Sequence, residues 1–418
     1  MRIRNAVLFN KFECPPASTG GTEIFAPVTL TRLMSPFLSA FPLCLFLAAS
    51  SVHGAVTANR PAYPAFHFVR AEAAVVAPGI QAKRDALMKQ GAAALATGDT
   101  KTAATAFETA VSMVHAPDAE LGLVRSYMQD GKYRQALSYG AHTAGAHKEE
   151  PEGTALYVWL LHLGGQEAAA KRILLEAQAR MPGNALLDGV QRRIAAGTTS
   201  SSGKPDAARA FIPYSRPLLR AATAVLSGSG VLINGGRSAL VILASVAHAR
   251  YMWVRNGLGQ LRQAAIENRF EKDGMALLKL DQPLSLTEEF MTASRDPFPG
   301  SVVYAIEYAM VRSAQPDWPV LRHGFLASPS GNSSDWELGI TMPTGPHGGP
   351  VFDTSGALAG VTISGPQGKS MFLPISRMRR TLGDRLGLPT QVMTGDRMAM
   401  EKVYENAMRA TVQVMTVR

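Results

Sequence analysis

Cysteine is nearly absent from this 418-residue chain: Cys14 and Cys44 are its only two. Both precede residue 50, so the rest of the chain can form no disulfide and no thiolate metal site. Charged residues are scarce at 18% and aromatics at 7%, while hydrophobic residues reach 46%. That balance excludes a disordered, highly charged chain and fits a folded one with room for two or three domains. Long apolar runs are missing after residue 49, and none there approaches the roughly 18 residues of a transmembrane helix.

The one apolar stretch, PFLSAFPLCLFLA at 37–49, has the length of a signal-peptide core and is too short to span a bilayer. Arg32 supplies a positive charge ahead of it. Cleavage after Gly54 or Ala58 would place Val52 or Val56 at the −3 position. Cys44 follows Pro42 and Leu43 rather than the small residues of a lipid-anchor signal. The expectation is a leader over 1–58, a true start at Met34, and an exported chain, periplasmic or secreted. The competing reading makes 37–49 a buried apolar segment.

Acidic residues are in deficit, and the formal charge is +10. Removing the leader takes away Arg2, Arg4, Lys11, Arg32, Glu13 and Glu23, which leaves +8. A basic exported protein is drawn to anionic surfaces and polymers. Its tightest basic cluster, SRMRRTLGDR at 376–385, has the spacing of one solvated helix face. No nucleic-acid partner is expected.

After a linker at 59–79, residues 80–196 are rich in Ala and Leu at helical spacing. Turn signals recur as GD at 98–99, DG at 130–131 and GG at 164–165, and Pro117, Pro151 and Pro182 close successive units. The intervals are 31 to 34 residues, the period of a two-helix repeat. Gly91 falls where paired helices approach, and Ala103, Phe107 and Ala110 share a face at i, i+4, i+7. Ala170, Leu174 and Ala177 repeat that pattern, whereas Ala136 and Tyr139 keep it only roughly. The region resembles tetratricopeptide (TPR) arrays, with a capping helix over 183–196. The resemblance implies a concave groove for a peptide or protein. The alternatives are a plain helical bundle and a groove filled by the next domain.

Polar, small residues at 197–216 (GTTSSSGKPDAARA over 197–210) predict a flexible connector. From 217 to 390 the texture changes to short apolar runs broken by Gly, Pro and Asn: 224–233, 238–246, 250–257, 274–281, 300–311, 338–342, 349–353 and 358–365. Such spacing predicts an all-β barrel or sandwich. In order and spacing these runs resemble the trypsin-like serine proteases, nearest the bacterial HtrA type. GSG at 228–230 before VLI resembles the opening strand, GMALLKLD (274–281) the strand normally introduced by aspartate, and VVYAIEYA (302–309) the start of a second barrel. TGPHGGPVFDTSGALAGV (344–361) resembles the nucleophile loop and its hairpin, and MFLPISRM (371–378) the strand that closes the site. The fold class expected is therefore multi-domain, with all-α TPR repeats followed by an all-β double-barrel trypsin-like domain. No PDZ-like stretch follows 390. Residues 391–418 read as an amphipathic helix running into a strand.

The resemblance implies a serine activated by a histidine that a buried carboxylate orients. His347 occupies the nucleophile position. The histidine position falls on Ser245, or on His248 after a shift of three. The aspartate position falls on Gly274, and Asp273 stands one place away, which on a strand points the other way. Ser355 lies in an ordinary hairpin turn. The oxyanion turn, built on the N–H groups of Gly345 and His347, tolerates Pro346 between them. Three mismatches at separated positions predict a pseudoprotease that binds protein or peptide partners, with no catalytic residues, cofactor or resident metal. The alternative is an active hydrolase with an atypical arrangement, for instance His248, Asp273 and a serine not yet placed. A metal site from His347, His248 and Asp273 is a third and weaker reading.

Overall fold

A computed structural model describes residues 78–196, 212–217, 219, 221–286, 291–308, 314–329, 336–342, 347–365, 369–390 and 396–418. The leader and its cleavage sites, most of both linkers, and Gly345 and Pro346 lie outside the described residues.

Seven helices come first: α1 (Pro78–Thr97), α2 (Thr100–Met113), α3 (Pro117–Gln129), α4 (Tyr133–Ala146), α5 (Pro151–Leu163), α6 (Glu167–Arg180) and α7 (Ala185–Ala196). Pro117 and Pro151 stand at the first helical positions of α3 and α5, where a missing N–H costs nothing. Asp99 caps α2 by accepting from Thr102 N–H at 3.0 Å. Phe107 joins the first two hairpins because neither facing residue has a side chain. A Cβ on Gly91 or Gly122 would stand 2.7 or 2.5 Å from its ring. The predicted units are thus three antiparallel helical hairpins and a terminal helix.

Twelve strands follow among the described residues, and they close two antiparallel barrels. The first is ordered β1-β12-β3-β4-β5-β2, and the second β10-β11-β8-β7-β6-β9. The first uses β1 (Val225–Ile233), β2 (Ser238–Ile242), β3 (Tyr251–Asn256), β4 (Leu261–Phe270), β5 (Met275–Leu280) and β12 (Thr411–Val417). The second uses β6 (Val302–Glu307), β7 (Val320–Pro329), β8 (Trp336–Gly339), β9 (Pro350–Asp353), β10 (Leu358–Ser364) and β11 (Ser370–Pro374). Among the described residues, three short or medium helices accompany the strands: α8 (Leu243–Val246), α9 (Ile375–Leu382) and α10 (Met400–Ala410).

Three features depart from the expected strands. The run 238–246 is β2 followed by the helical turn α8, not one strand. Strands β4 and β7 escaped the sequence reading, and the outward positions of β4 include Gln263, Glu267 and Arg269. The C-terminal segment is a helix and a strand, as its pattern indicates, but β12 inserts between β1 and β3 and closes the first barrel. Polar ties hold it there: Arg255 of β3, buried, donates to Gln413 Oε1 at 3.0 Å and to Ser215 Oγ at 3.0 Å.

The array and the barrels share one core. Tyr133 and Tyr404 of α10 meet edge to face with ring centroids 4.5 Å apart, and Tyr404 donates to Pro319 O at 2.7 Å. Arg134 holds Glu405 through backbone N–H and guanidinium, at 2.9 to 3.2 Å. Helix α5 is buried along nearly its whole length, against its neighbours in the array and against β7. A helix apolar all round belongs in a core, and α5 is the interior helix of the third hairpin. Among the described residues no helix is long and apolar enough to cross a membrane.

Candidate functional site

The two barrels touch where the resemblance places catalysis. His347 stands three residues ahead of β9 of the second barrel, and Ser245 sits on α8 of the first. A Cβ on Gly228 of β1 would lie 2.6 Å from Ser245 Oγ and 3.3 Å from His347 O. Tyr308, just past β6, donates its N–H to Ser229 Oγ at 3.1 Å and its hydroxyl to Thr411 O at 3.2 Å. The first barrel's β1 and β12 are thereby pinned to the end of β6.

The glycine pair after His347 is explained by packing. Gly348 adopts φ +127°, which disfavours any side chain, and a Cβ there would stand 2.4 Å from Ser229 O. A Cβ on Gly349 would stand 2.2 Å from Ile306 O. The backbone must pass this close whether or not the loop does chemistry.

His347 is 4% exposed, and its Nδ1 lies 2.9 Å from Glu307 Oε2, itself buried. Glu307 Oε1 accepts from Gly349 N–H at 3.2 Å and from the Thr362 hydroxyl, and Thr362 Oγ1 accepts from Gly348 N–H at 3.0 Å. Every polar atom of this carboxylate is therefore engaged. Burial pushes the His347 imidazole down, but the hydrogen bond and negative charge of Glu307 outweigh it and hold the imidazole above its ordinary range; Arg322 opposes weakly.

The remaining positions are scattered. Ser245 is buried, and its Oγ has no hydrogen-bond partner among the described residues. His248 is exposed beyond α8. Gly274 adopts φ +64°, with nothing within 4 Å of a Cβ. Asp273 lies in a single helical turn, Glu271–Asp273, and its carboxylate takes hydrogen bonds from Arg377 Nε and Thr381 Oγ1 of α9. Burial raises that carboxyl, but these two partners more than offset it and hold it below the usual range. Asp273 is thus committed to α9 rather than to Ser245, His248 or His347. Ser355 donates its backbone N–H to Asp353 Oδ1 at 2.9 Å, within the hairpin turn.

Glu307 and Thr362 were missed in the sequence. The available signal was a lone carboxylate at the end of the apolar run VVYAIE. A charge at that place must be exposed or paired, and nothing in the sequence says that its partner lies forty residues on.

No protein-family model matches the chain, and no curated protein sequence matches it. Many solved structures are similar to parts of it, two proteases among them. The MamO protease domain from Magnetospirillum magneticum, in its apo form, shares 19% identity over 39% of this chain and 97% of its own, with a TM-score of 0.30. A serine endoprotease from Yersinia pestis shares 21% identity over 40% of this chain and 64% of its own, with a TM-score of 0.33.

Proposed function

We propose that the chain is an exported, non-catalytic binding protein: a trypsin-like double barrel that does not cut, braced by a TPR-like array. The observation carrying this reading is the condition of His347. Its imidazole stands at the nucleophile position but is buried and held by Glu307. In a serine triad, loss of the nucleophile alone costs on the order of 10⁶ in kcat. Export rests on the signal-like run at 37–49.

The partner is an extended protein segment. Clefts in protease folds take such segments by strand addition, which needs no triad. A second surface lies between the array and β7: a cleft of about 550 Å³ lined by His162, Leu174, Ile194, Arg322 and Met342. Its walls are mainly apolar, and Arg322 Nη1 is buried there without a hydrogen-bond partner. An apolar segment bearing a carboxylate suits that chemistry. Neither Ser245 nor His347 lines it.

One observation favours the alternative of an atypical hydrolase. Glu307 and His347 form an oriented carboxylate–imidazole pair, and the Ser245 hydroxyl lies nearby without a hydrogen bond. With the roles exchanged between barrels, Ser245 would be the nucleophile and His347 its base. Hydrolysis of casein by the purified chain and by the variants Ser245→Ala and His347→Ser separates the readings. No cleavage by any of them supports the binding protein. Cleavage by the unaltered chain that Ser245→Ala abolishes supports the hydrolase and ends the first reading.

A further inference from the structure

Far from the barrels' junction, the array gathers three of the chain's nine histidines around one carboxylate. His115 lies in the turn between α2 and α3. Glu120 is in the first turns of α3. His142 is on α4, and His147 is its C-terminal cap residue. His115 Nε2 stands 2.7 Å from Glu120 Oε1, His142 Nε2 stands 3.6 Å from the same oxygen, and His147 Nε2 stands 3.6 Å from Oε2. Ligand atoms of His115, Glu120 and His147 all fall within 4.8 Å of one another.

Glu120 makes this cluster unusual. Its side chain has no exposure, yet neither carboxylate oxygen accepts a hydrogen bond of normal geometry. A buried carboxylate left this way costs several kcal/mol unless a positive charge compensates it. Among the described residues, the ion pairs of Glu120 are with His115, His142 and His147. Its charge is left to protonated imidazole or to a cation.

We propose that His115, Glu120, His142 and His147 form a site for a divalent transition metal of the zinc class. A tetrahedral zinc with bonds of about 2.0–2.1 Å has neighbouring ligand atoms about 3.3 Å apart. The observed separations of 2.7, 3.6 and 3.6 Å bracket that edge. Three imidazole nitrogens and one carboxylate oxygen suit zinc, cobalt, nickel or copper, and disfavour calcium and magnesium, which take oxygen ligands. Behind His147, the other ring nitrogen faces Glu150 Oε1 at 3.9 Å, where an outer carboxylate would orient the ligand. The ligands come from a turn and two helices. The metal would therefore staple the end of the first hairpin to the second, and its binding energy would add to folding. The sequence alone gave no sign of it, because the four residues belong to three segments.

The test uses the full chain without a polyhistidine tag, stripped by a chelator and titrated with Zn²⁺ and with Co²⁺. The expected result is one ion per chain, a visible cobalt spectrum of tetrahedral nitrogen–oxygen type, and a melting temperature raised by zinc and lowered again by chelator. His115→Ala and His142→Ala, both at partly exposed side chains, should each lose more affinity than the ~10–100-fold typical of outer-shell changes. Glu120→Gln should abolish binding. His248→Ala should bind as the parent does. Absence of stoichiometric uptake overturns the site, as does uptake that both histidine variants leave unchanged; the histidines would then serve only as partners of Glu120.

Discussion

His347 Nδ1 and Glu307 Oε2 lie 2.9 Å apart, both buried, at the junction of the two barrels. The pair is a charged contact inside the second barrel, and its energetics are open to measurement.

The first consequence concerns pH. Glu307 holds the His347 imidazole above its ordinary value in the folded chain, so folding favours the protonated ring. This stability is fully present below about pH 6.5, the unperturbed value, and is lost as pH rises through the higher folded value. The melting temperature of the native chain minus that of His347→Gln should therefore shrink as pH rises above about 6.5. A constant difference would mean that the ring stays neutral throughout.

Removing the carboxylate leaves three donors without their acceptor. Glu307→Ala strands His347 Nδ1, the Gly349 N–H and the Thr362 hydroxyl in a dry site. The expected cost is about 3–5 kcal/mol, as for other broken buried pairs. Denaturant unfolding of the variant reads it directly. A cost below about 1 kcal/mol would place the pair among solvent-screened contacts.

Tyr404 tests how the array is held. It is fully buried, packs edge to face on Tyr133, and donates to Pro319 O. Tyr404→Ala should cost about 3–5 kcal/mol, and Tyr404→Phe about 1 kcal/mol through the lost hydrogen bond. Because the tyrosines join two parts of one core, the alanine variant should split a single thermal transition into two. Calorimetry would reveal the split, and one sharp transition would locate the coupling elsewhere.

Strand β12 tests closure of the first barrel. Deleting Thr411–Val417 exposes the facing edges of β1 and β3, which it pairs from Val225↔Thr416 to Val412↔Asn256. Unpaired edges recruit other chains. The truncated protein should run as aggregates on size exclusion, whereas a soluble monomer would show that the barrel closes without it.

Much of this architecture was legible. Helical hairpins announced themselves because Gly98, Gly131 and Gly165 are left-handed turns and because Pro117 and Pro151 start helices, all local preferences of the backbone. Most strands did so through short apolar runs between breakers. The Gly348-Gly349 pair marks a tight passage of the backbone, since only glycine fits against Ser229 and Ile306. Strand β4 was hidden by polar outward residues, and the place of β12 by its distance along the chain from its partners.

What sequence alone determined were the properties set by near neighbours: where helices start and stop, and where the backbone must turn. What only the tertiary structure decided were the partners. Glu307 reaches His347 across forty residues, β12 enters the first barrel from the far end of the chain, and Glu120 collects histidines from a turn and a second helix. The reason is physical. Backbone preferences are local and can be read in order, whereas a buried charge takes whatever compensating group the folded chain brings within a few ångströms.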